Sequence, residues 1–199
     1  MPRDGSFTRD RILEAALDLV IDNGFRATTV EAVLAASGAS KGAFFHHFAS
    51  KRDLADALVA QYVADDLAML EQAMSAACAA GPDPVERAVA FLRFFEDMAD
   101  EIMAGTTGCL YLSVLAEMEL VDAGTSDPIT KAVTQWRERY AELLSDAIGD
   151  RTDVDVAALS DHVFVTFEGA FLLARTTGDP GQMRRQLAIT RRLVESLLR

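Results

Sequence analysis

The stretch that decides the fold is residues 28–51, TTVEAVLAASGASKGAFFHHFASK. It contains two short segments separated by Ser37-Gly38-Ala39, and each segment follows a hydroxyl residue that can cap a helix. Thr28 and Glu31 have the spacing of a capping box, and Ser40 can cap the second segment. The stretch therefore predicts two short helices joined by a tight turn that contains glycine, which is the helix-turn-helix arrangement.

A longer helix is predicted just before this pair. Between Thr8 and Asn23 the apolar residues recur every three or four positions, and Gly24 follows as a stop signal. Such a helix would brace the two short ones, so residues 1–50 are expected to form a three-helix DNA-binding head in which the third helix enters the major groove.

The remaining residues, 51–199, carry helix signals and no alternating strand pattern. We expect them to form a six-helix body for ligand binding and dimerisation, which gives an all-α chain of nine helices. The predicted body helices span residues 51–80, 84–104, 108–121, 127–148, 152–176 and 180–199. Among the body helices, Ser50 with Asp53, Asp83-Pro84 with Glu86, and Thr152 with Asp155 supply the capping signals, and Asp127-Pro128 and Asp179-Pro180 mark two further starts.

The charge is distributed very unevenly between head and body. The whole chain has a net charge of −12, yet residues 1–52 hold seven Lys/Arg and six Asp/Glu, so the acidity lies in the body. Because DNA contact requires phosphate neutralisation, an acidic body repels DNA and confines binding to the head.

Targeting signals are not evident in the sequence. We find no apolar run near the ~18 residues that a membrane helix needs, and the first ten residues are polar and charged. The two cysteines, Cys78 and Cys109, are too few for a disulfide framework. The sequence thus predicts a cytoplasmic protein with no membrane partner.

The third helix has the composition of a DNA-contacting element. Small residues at Ser40 and Gly42 let the backbone approach DNA, and Lys41 adds a hydrogen-bond donor. Three aromatic residues, Phe44, Phe45 and Phe48, can divide between packing under the first helix and lying against the sugar-phosphate edge. Further donors to phosphate are His46, His47 and Lys51.

Several segments resemble the TetR family of bacterial repressors. The resemblance covers Thr8 to Leu54, about a quarter of the chain, and lies in Arg11-Ile12-Leu13-Glu14-Ala15-Ala16, Asn23-Gly24-Phe25, Thr28-Thr29-Val30 and Ser40 to Lys51. The body is only loosely similar. The resemblance implies a homodimeric, all-helical repressor whose body binds a small inducer and thereby changes the separation of two heads.

The same resemblance implies which residues touch DNA. They are Thr29, Ser40, Lys41, Gly42, Phe45, His47 and Lys51. One departure is Phe45, where the family commonly has tyrosine, so one hydroxyl contact to phosphate is expected to be missing.

An aromatic and methionine-rich set of body residues has the composition of an apolar pocket between helices. Core packing explains each member equally well. As a group they predict a site for a small apolar inducer, and Glu117 or Glu119 would select a cationic one unless both lie on a solvated face. The predicted ligand-binding residues are Phe91, Phe94, Phe95, Met98, Tyr111, Leu115, Met118, Trp136 and Tyr140.

The last two helices carry more apolar surface than one helix pair needs. A second copy of the chain would cover it in an isologous four-helix interface, and two heads would bind the two half-sites of a palindromic operator on double-stranded DNA. The predicted interface residues are Phe164, Phe167, Phe171, Leu187 and Val194, with Leu172, Leu173, Leu193 and Leu197 on the same helices.

The favoured function is a sequence-specific repressor that an inducer releases from its operator, with the helix from Lys51 to about Ala80 as the lever. One alternative is a helical interaction module with a non-functional head. Another is a cysteine-dependent enzyme or redox sensor built on Cys109 with His162, although Cys109 also fits a buried apolar position. No catalytic motif, metal-ligand cluster or cofactor motif is evident, so we expect no enzyme, metal or cofactor.

Overall fold

The computed structural model describes residues 5–105 and 108–199. Over this part of the chain all regular secondary structure is helical, which confirms the all-α prediction. The helices are α1 (Gly5–Asn23), α2 (Val30–Ser37), α3 (Lys41–His47), α4 (Lys51–Ala79), α5 (Pro84–Gly105), α6 (Leu110–Leu115), α7 (Met118–Asp122), α8 (Asp127–Ile148), α9 (Val156–Thr177) and α10 (Gln182–Leu198).

Helices α3 and α4 begin where local capping chemistry predicts. The Ser40 hydroxyl accepts the backbone N–H of Ala43 at 3.1 Å at the start of α3. At the start of α4, the Ser50 hydroxyl accepts the N–H of Asp53, and the Asp53 carboxylate accepts the N–H of Ala49, both at 3.1 Å. The two hydroxyl bonds satisfy donors that the first turn of a helix leaves open, and the Asp53 carboxylate fixes the residue before the cap, so these starts are determined locally.

Two predicted caps are displaced. Thr29, and not Thr28, caps α2, because the Thr29 hydroxyl accepts the N–H of Ala32 at 3.1 Å while Thr28 is buried and donates to the carbonyl of Gly24 at 2.9 Å. Asp155, and not Thr152, caps α9. In both cases a residue further along the chain, one position on for Thr29 and three for Asp155, accepts the capping hydrogen bond with its side-chain oxygen.

The predicted single helix over residues 108–121 is wrong. The chain forms α6 and α7 instead, with extended backbone at Glu117 (φ −104°, ψ 93°) between them. The described part of the chain therefore has ten helices and a seven-helix body in place of six.

The described residues pack as two compact units. The first comprises those up to Asp65 together with Gly108–Thr130, and the second comprises those from Asp66 to Gly105 together with Lys131–Arg199. The predicted functional boundary at residue 50 is a different division, and it stays a prediction. In the first unit, α1 packs against α2, α3 and α6. Its buried side chains include Ile12, Ala16, Val33, Phe44 and Leu58.

The second unit has a larger core made by α5, α8, α9, α10 and the end of α4. Phe91 stacks on Tyr140 with ring centroids 4.6 Å apart, and Phe95 lies 5.2 Å from Trp136. A half-buried ion pair between Arg191 Nε and Glu96 Oε2, at 2.5 Å, joins α10 to α5.

One helix passes a test of length and mean hydropathy for crossing a membrane, although charged residues interrupt its apolar sequence. Within the described residues, α9 meets that criterion by length and composition, with a mean hydropathy of 1.4 over 18 residues of which only 22% are buried. The surplus apolar surface of α9 includes Val165 and Leu172, which are 63% and 67% exposed.

Candidate functional site

The exposed face of α3 carries the residues predicted to contact DNA. Ser40, Lys41 and Gly42 are exposed at its start, and Phe45 is 47% exposed one turn later. Phe44 is fully buried and Phe48 is 2% exposed beneath this surface. Phe44 and Phe48 therefore pack inside the protein as predicted, while the contact of Phe45 with the sugar-phosphate edge stays a prediction.

The turn before α3 is fixed by glycine and by a distant arginine. Gly38 ends α2 in the left-handed region (φ 65°), a conformation that side chains disfavour. The Arg11 guanidinium of α1 donates to the carbonyl of Ser37. This role of Arg11 could not be predicted from the sequence, because a bond over 26 residues leaves no local pattern.

Gly42 is not required by packing inside the chain. A Cβ at this position would meet only the Ser40 hydroxyl oxygen, at 3.9 Å. Its φ is not in the left-handed region either, since that conformation occurs only at other glycines among the described residues. Gly42 therefore leaves open space on the exposed surface at the start of α3.

Thr29 and the two histidines complete the exposed face predicted for DNA. Thr29 is exposed while its hydroxyl caps α2. His46 is exposed and His47 half-buried at the end of α3, with ring centroids 5.0 Å apart. Their ring nitrogens supply donors within reach of a molecule lying along this helix.

Lys51 has partners inside the protein. Its Nζ donates to the carbonyls of Phe25 at 2.6 Å and Arg26 at 3.3 Å, and lies 4.2 Å from the centre of the Phe25 ring. Burial lowers the pKa of this amine, while the nearby Glu117 and Glu119 carboxylates raise it. The structure thus gives Lys51 a reason to lie at a helix start other than phosphate contact.

Two family models match the chain. Residues 12–58 match "Bacterial regulatory proteins, tetR family", and residues 84–190, more than half of the chain, match "Tetracyclin repressor-like, C-terminal domain". The chain belongs to the TetR family. Its members are transcriptional regulators that bind DNA as dimers, which agrees with the resemblance of the helix-turn-helix segments.

Relatives of the same family match over most of the chain. Transcriptional regulator AcuR of Cereibacter sphaeroides is 29% identical over 178 residues, 86% of this chain and 78% of its own length. A regulatory protein TetR from Rhodobacter sphaeroides has a solved structure with a TM-score of 0.76 and 26% identity, covering 94% of this chain and 98% of that one. A TetR-family regulator from Agrobacterium tumefaciens shares the fold, with a TM-score of 0.75, 22% identity, and coverage of 97% and 98%.

In this TetR-family chain, six of the nine predicted ligand-binding residues lie in the second unit. Phe91, Phe95 and Tyr140 are buried in its core, and Trp136 donates its indole N–H to Asp66 Oδ2 at 2.9 Å. Among the described residues the Tyr140 hydroxyl has no hydrogen-bond partner, and burial strongly raises its pKa. Phe94 and Met98, both half-buried on α5, complete the six.

The other three predicted ligand-binding residues lie in the first unit. Tyr111 is buried and packs edge-on against Tyr62 at 5.1 Å. Leu115 and Met118 are 45% and 65% exposed at the end of α6 and the start of α7. The short helices α6 and α7 thus place Leu115 and Met118 at the surface and Tyr111 in a core.

The predicted dimer residues need correction. Phe171, Leu187 and Val194 are 6%, 2% and 2% exposed, so they belong to the core of the single chain and cannot be the surface that a partner covers. Phe164 and Phe167 are half-buried. The outward apolar surface of α9 and α10 is formed instead by Val165, Leu172, Leu173, Ile189, Leu193 and Leu197.

The residues of the alternative hypotheses, Cys109 and His162, belong to different units of the chain. Cys109 is 7% exposed, as expected for a buried apolar position, and its sulfur lies 4.0 Å from the Tyr62 hydroxyl. His162 is exposed on α9. Across residues 5–105 and 108–199 no group of three or more potential metal-ligating side chains occurs.

A charged cleft in the first unit was not predicted. It has a volume of about 210 Å³ and both signs of charge. Glu117, considered above for inducer selection, accepts the backbone N–H of Arg26 at 3.1 Å here, while Glu119 is exposed. The lining consists of Phe25, Arg26, Lys51, Arg52, Glu117, Glu119, Leu120 and Ala123.

Proposed function

We propose that this TetR-family chain is a repressor whose dimer binds a palindromic operator through α3 and is released by a small inducer. The observation that carries the proposal is the outer face of α3, where Gly42 leaves space that nothing inside the chain needs. Lys41 beside it is exposed and supplies a mobile cation. A helix face that is both open and cationic suits close contact with a DNA groove.

The dimer contact proposed here is the outward apolar face of α9 and α10. Leu172 and Leu193 are 67% and 62% exposed, which is costly for two large apolar residues unless another surface covers them. An isologous contact would pair α9 and α10 of one protomer with the same helices of its partner. Two heads would then bind two half-sites, which gives a palindromic operator.

The inducer site proposed here is the aromatic cluster of the second unit. Phe91, Phe95, Trp136 and Tyr140 supply ring faces that accept either an apolar group or a cation. A buried phenol without a partner in the described chain lacks a hydrogen bond that a ligand acceptor would provide. An inducer bound here would reduce operator affinity by favouring a dimer conformation with misplaced heads, with α4 as the lever.

The test begins with selection of bound fragments from random and genomic DNA by the purified dimer. We expect a palindrome to be enriched. Lys41→Ala should then weaken binding to it about tenfold and lower the slope of log affinity against log salt by about 0.9 per head, because one phosphate contact is lost. Lys131→Ala is the matched control, since Lys131 is an exposed lysine on α8 in the second unit.

Two results would contradict the DNA proposal. Enrichment of no palindrome would favour the interaction module with a non-functional head. Equal losses for Lys41→Ala and Lys131→Ala would show that general charge, and not the α3 face, controls the affinity.

Tryptophan fluorescence can report on the proposed inducer site, because Trp136 is the only tryptophan in the chain. Candidate apolar and cationic compounds that release the operator should change its fluorescence at the same concentrations. Tyr140→Phe should weaken a ligand that carries a hydrogen-bond acceptor by about fivefold and leave a pure hydrocarbon unaffected. Release of DNA with no change at Trp136 would place the inducer elsewhere.

A further inference from the structure

The corner between α1 and α2, residues 24–29, is held from two directions. On one side Lys51 Nζ donates to the carbonyls of Phe25 and Arg26, at 2.6 and 3.3 Å. On the other side Glu117 Oε1 accepts the backbone N–H of Arg26 at 3.1 Å. Both polar groups of the Arg26 backbone are therefore bonded to charged side chains that lie far away in sequence.

The segment that supplies Glu117 is itself fastened within the first unit. The Arg52 guanidinium of α4 donates to the carbonyl of Ala123. The buried Thr125 hydroxyl donates to Asp56 Oδ1 at 2.6 Å. With the Glu117 contact, α7 is bonded on both flanks to the N-terminal 65 residues of the chain.

The unexpected break between α6 and α7 positions this carboxylate. Glu117 has an extended backbone and precedes α7, and its carboxylate lies 3.4 Å from where a Cβ on Gly24 would stand. Gly24 has φ 82°, so the corner also depends on a residue that favours this conformation. The carboxylate thus lies against the part of the corner that has no side chain.

We propose that Glu117 is a positioning residue for DNA binding, which with Lys51 fixes the α1–α2 corner and so the start of α2. This inference rests on the proposed function. Thr29, predicted to contact DNA, is only three residues beyond Arg26. A corner that is not fixed in the free protein has to be ordered when DNA binds, and that entropy cost weakens affinity. Any change in residues 108–130 that withdraws Glu117 lowers operator affinity for the same reason.

The decisive comparison uses Glu117→Ala, Glu117→Gln and Glu119→Ala, measured against the selected operator by fluorescence anisotropy. We expect Glu117→Ala to raise Kd about fivefold, the effect of one net hydrogen bond. Glu117→Gln should stay within about twofold of the parent, because its amide oxygen still accepts the Arg26 N–H. Glu119→Ala is the matched control, since it removes an equal charge near Lys51 from an exposed side chain.

A measurement without DNA checks the same contact independently. Amide hydrogen exchange at Arg26 should accelerate in Glu117→Ala and not in Glu117→Gln or Glu119→Ala. An unchanged Kd or an unchanged exchange rate in Glu117→Ala would overturn the inference while leaving the proposed function intact. Equal losses in Glu117→Ala and Glu119→Ala would overturn it too, because charge alone would then explain the effect.

The salt dependence separates positioning by Lys51 from phosphate contact. Lys51→Ala should weaken operator binding with no change in the slope of log affinity against log salt. A slope lower by about 0.9 per head would assign Lys51 to a phosphate, as the family resemblance implies, and would overturn its positioning role.

Discussion

The contacts inside the first unit of this chain differ in kind from the contacts inside the second unit. In the first, charged side chains bond to backbone carbonyls that lie far away in sequence, as Arg11 does at Ser37 and Lys51 at Phe25. In the second, aromatic rings pack in one core and arginines pair with carboxylates at its edge, as Arg191 does with Glu96. Directional bonds to backbone fix the orientation of short helices, whereas a large apolar core supplies most of the stability.

This difference suits the two tasks of a TetR-family regulator. The first unit buries side chains such as Ile12 and Phe44, and bonds to the backbone of its turns add directional constraints that packing does not supply. A larger unit can bury a ligand or a partner surface and still stay folded. The predictions below test that division, from the largest expected effect to the smallest.

The largest effect should come from the outward face of the second unit. Leu172→Glu combined with Leu193→Glu should dissociate the dimer and reduce operator affinity by about 100-fold or more, because each head then binds alone. Sedimentation velocity and anisotropy titrations measure both quantities. Leu112→Glu with Leu115→Glu is the control, since these residues are 51% and 45% exposed on α6 of the first unit. A dimer that survives the first pair, or is lost with the second, would contradict the assignment of the interface.

A smaller effect, on the free energy of unfolding, should distinguish the apolar core of the second unit from the hydrogen-bonded turns of the first. Leu92→Ala should lower the free energy of unfolding by about 2–5 kcal/mol, because Leu92 is 1% exposed in the second core. Thr28→Val should cost about 1 kcal/mol, because it removes the hydroxyl bonded to Gly24 in the first unit and keeps the volume. Urea unfolding at one fixed protomer concentration measures both. Equal losses would mean that the two units do not differ in this way.

The smallest effect concerns an exposed ion pair. Arg184 on α10 hydrogen-bonds Asp100 on α5 and so lowers the pKa of that carboxyl. A lowered pKa stabilises the fold above the ordinary value of about 3.9, and the contribution disappears as pH falls through the lowered value. Arg184→Gln should therefore lower Tm by about 1–2 °C at pH 7, with the difference vanishing in acid. Arg93→Gln, an exposed arginine of α5, is the control. A difference that grows as the pH falls would exclude this explanation.

The sequence predicted those parts of the fold that depend on side chains close together in the chain. Helix starts at Ser40 and Ser50 depend on side chains within three residues, so they could be recognised from the sequence. Thr28 and Thr29 are both able to cap, and burial of the first decides between them. At the break between α6 and α7, Glu117 bonds to the backbone of Arg26, 91 residues away, and no local sequence pattern predicts such a bond.

For the predicted interface and ligand-binding residues, the sequence did not show which side chains are buried and which are exposed. α9 is apolar on more than one face, so periodicity alone cannot tell that Phe171 is buried and its neighbour Leu172 exposed. Likewise, Tyr111 and Met118 have suitable composition for a pocket, but one is buried beside Tyr62 and the other lies at the surface. Composition identifies a set of candidates, and only packing decides which way each one faces.

The unequal burial of the two cysteines has a practical consequence. Cys109 is buried, whereas Cys78, near the end of α4, is exposed. A thiol-selective spin label should therefore attach at one position per protomer without any substitution. Dipolar spectroscopy on the assembled protein would then give the separation of two symmetry-related labels, free, with operator and with inducer. The native sequence thus already contains a labelling site at which the conformational change can be measured as a distance.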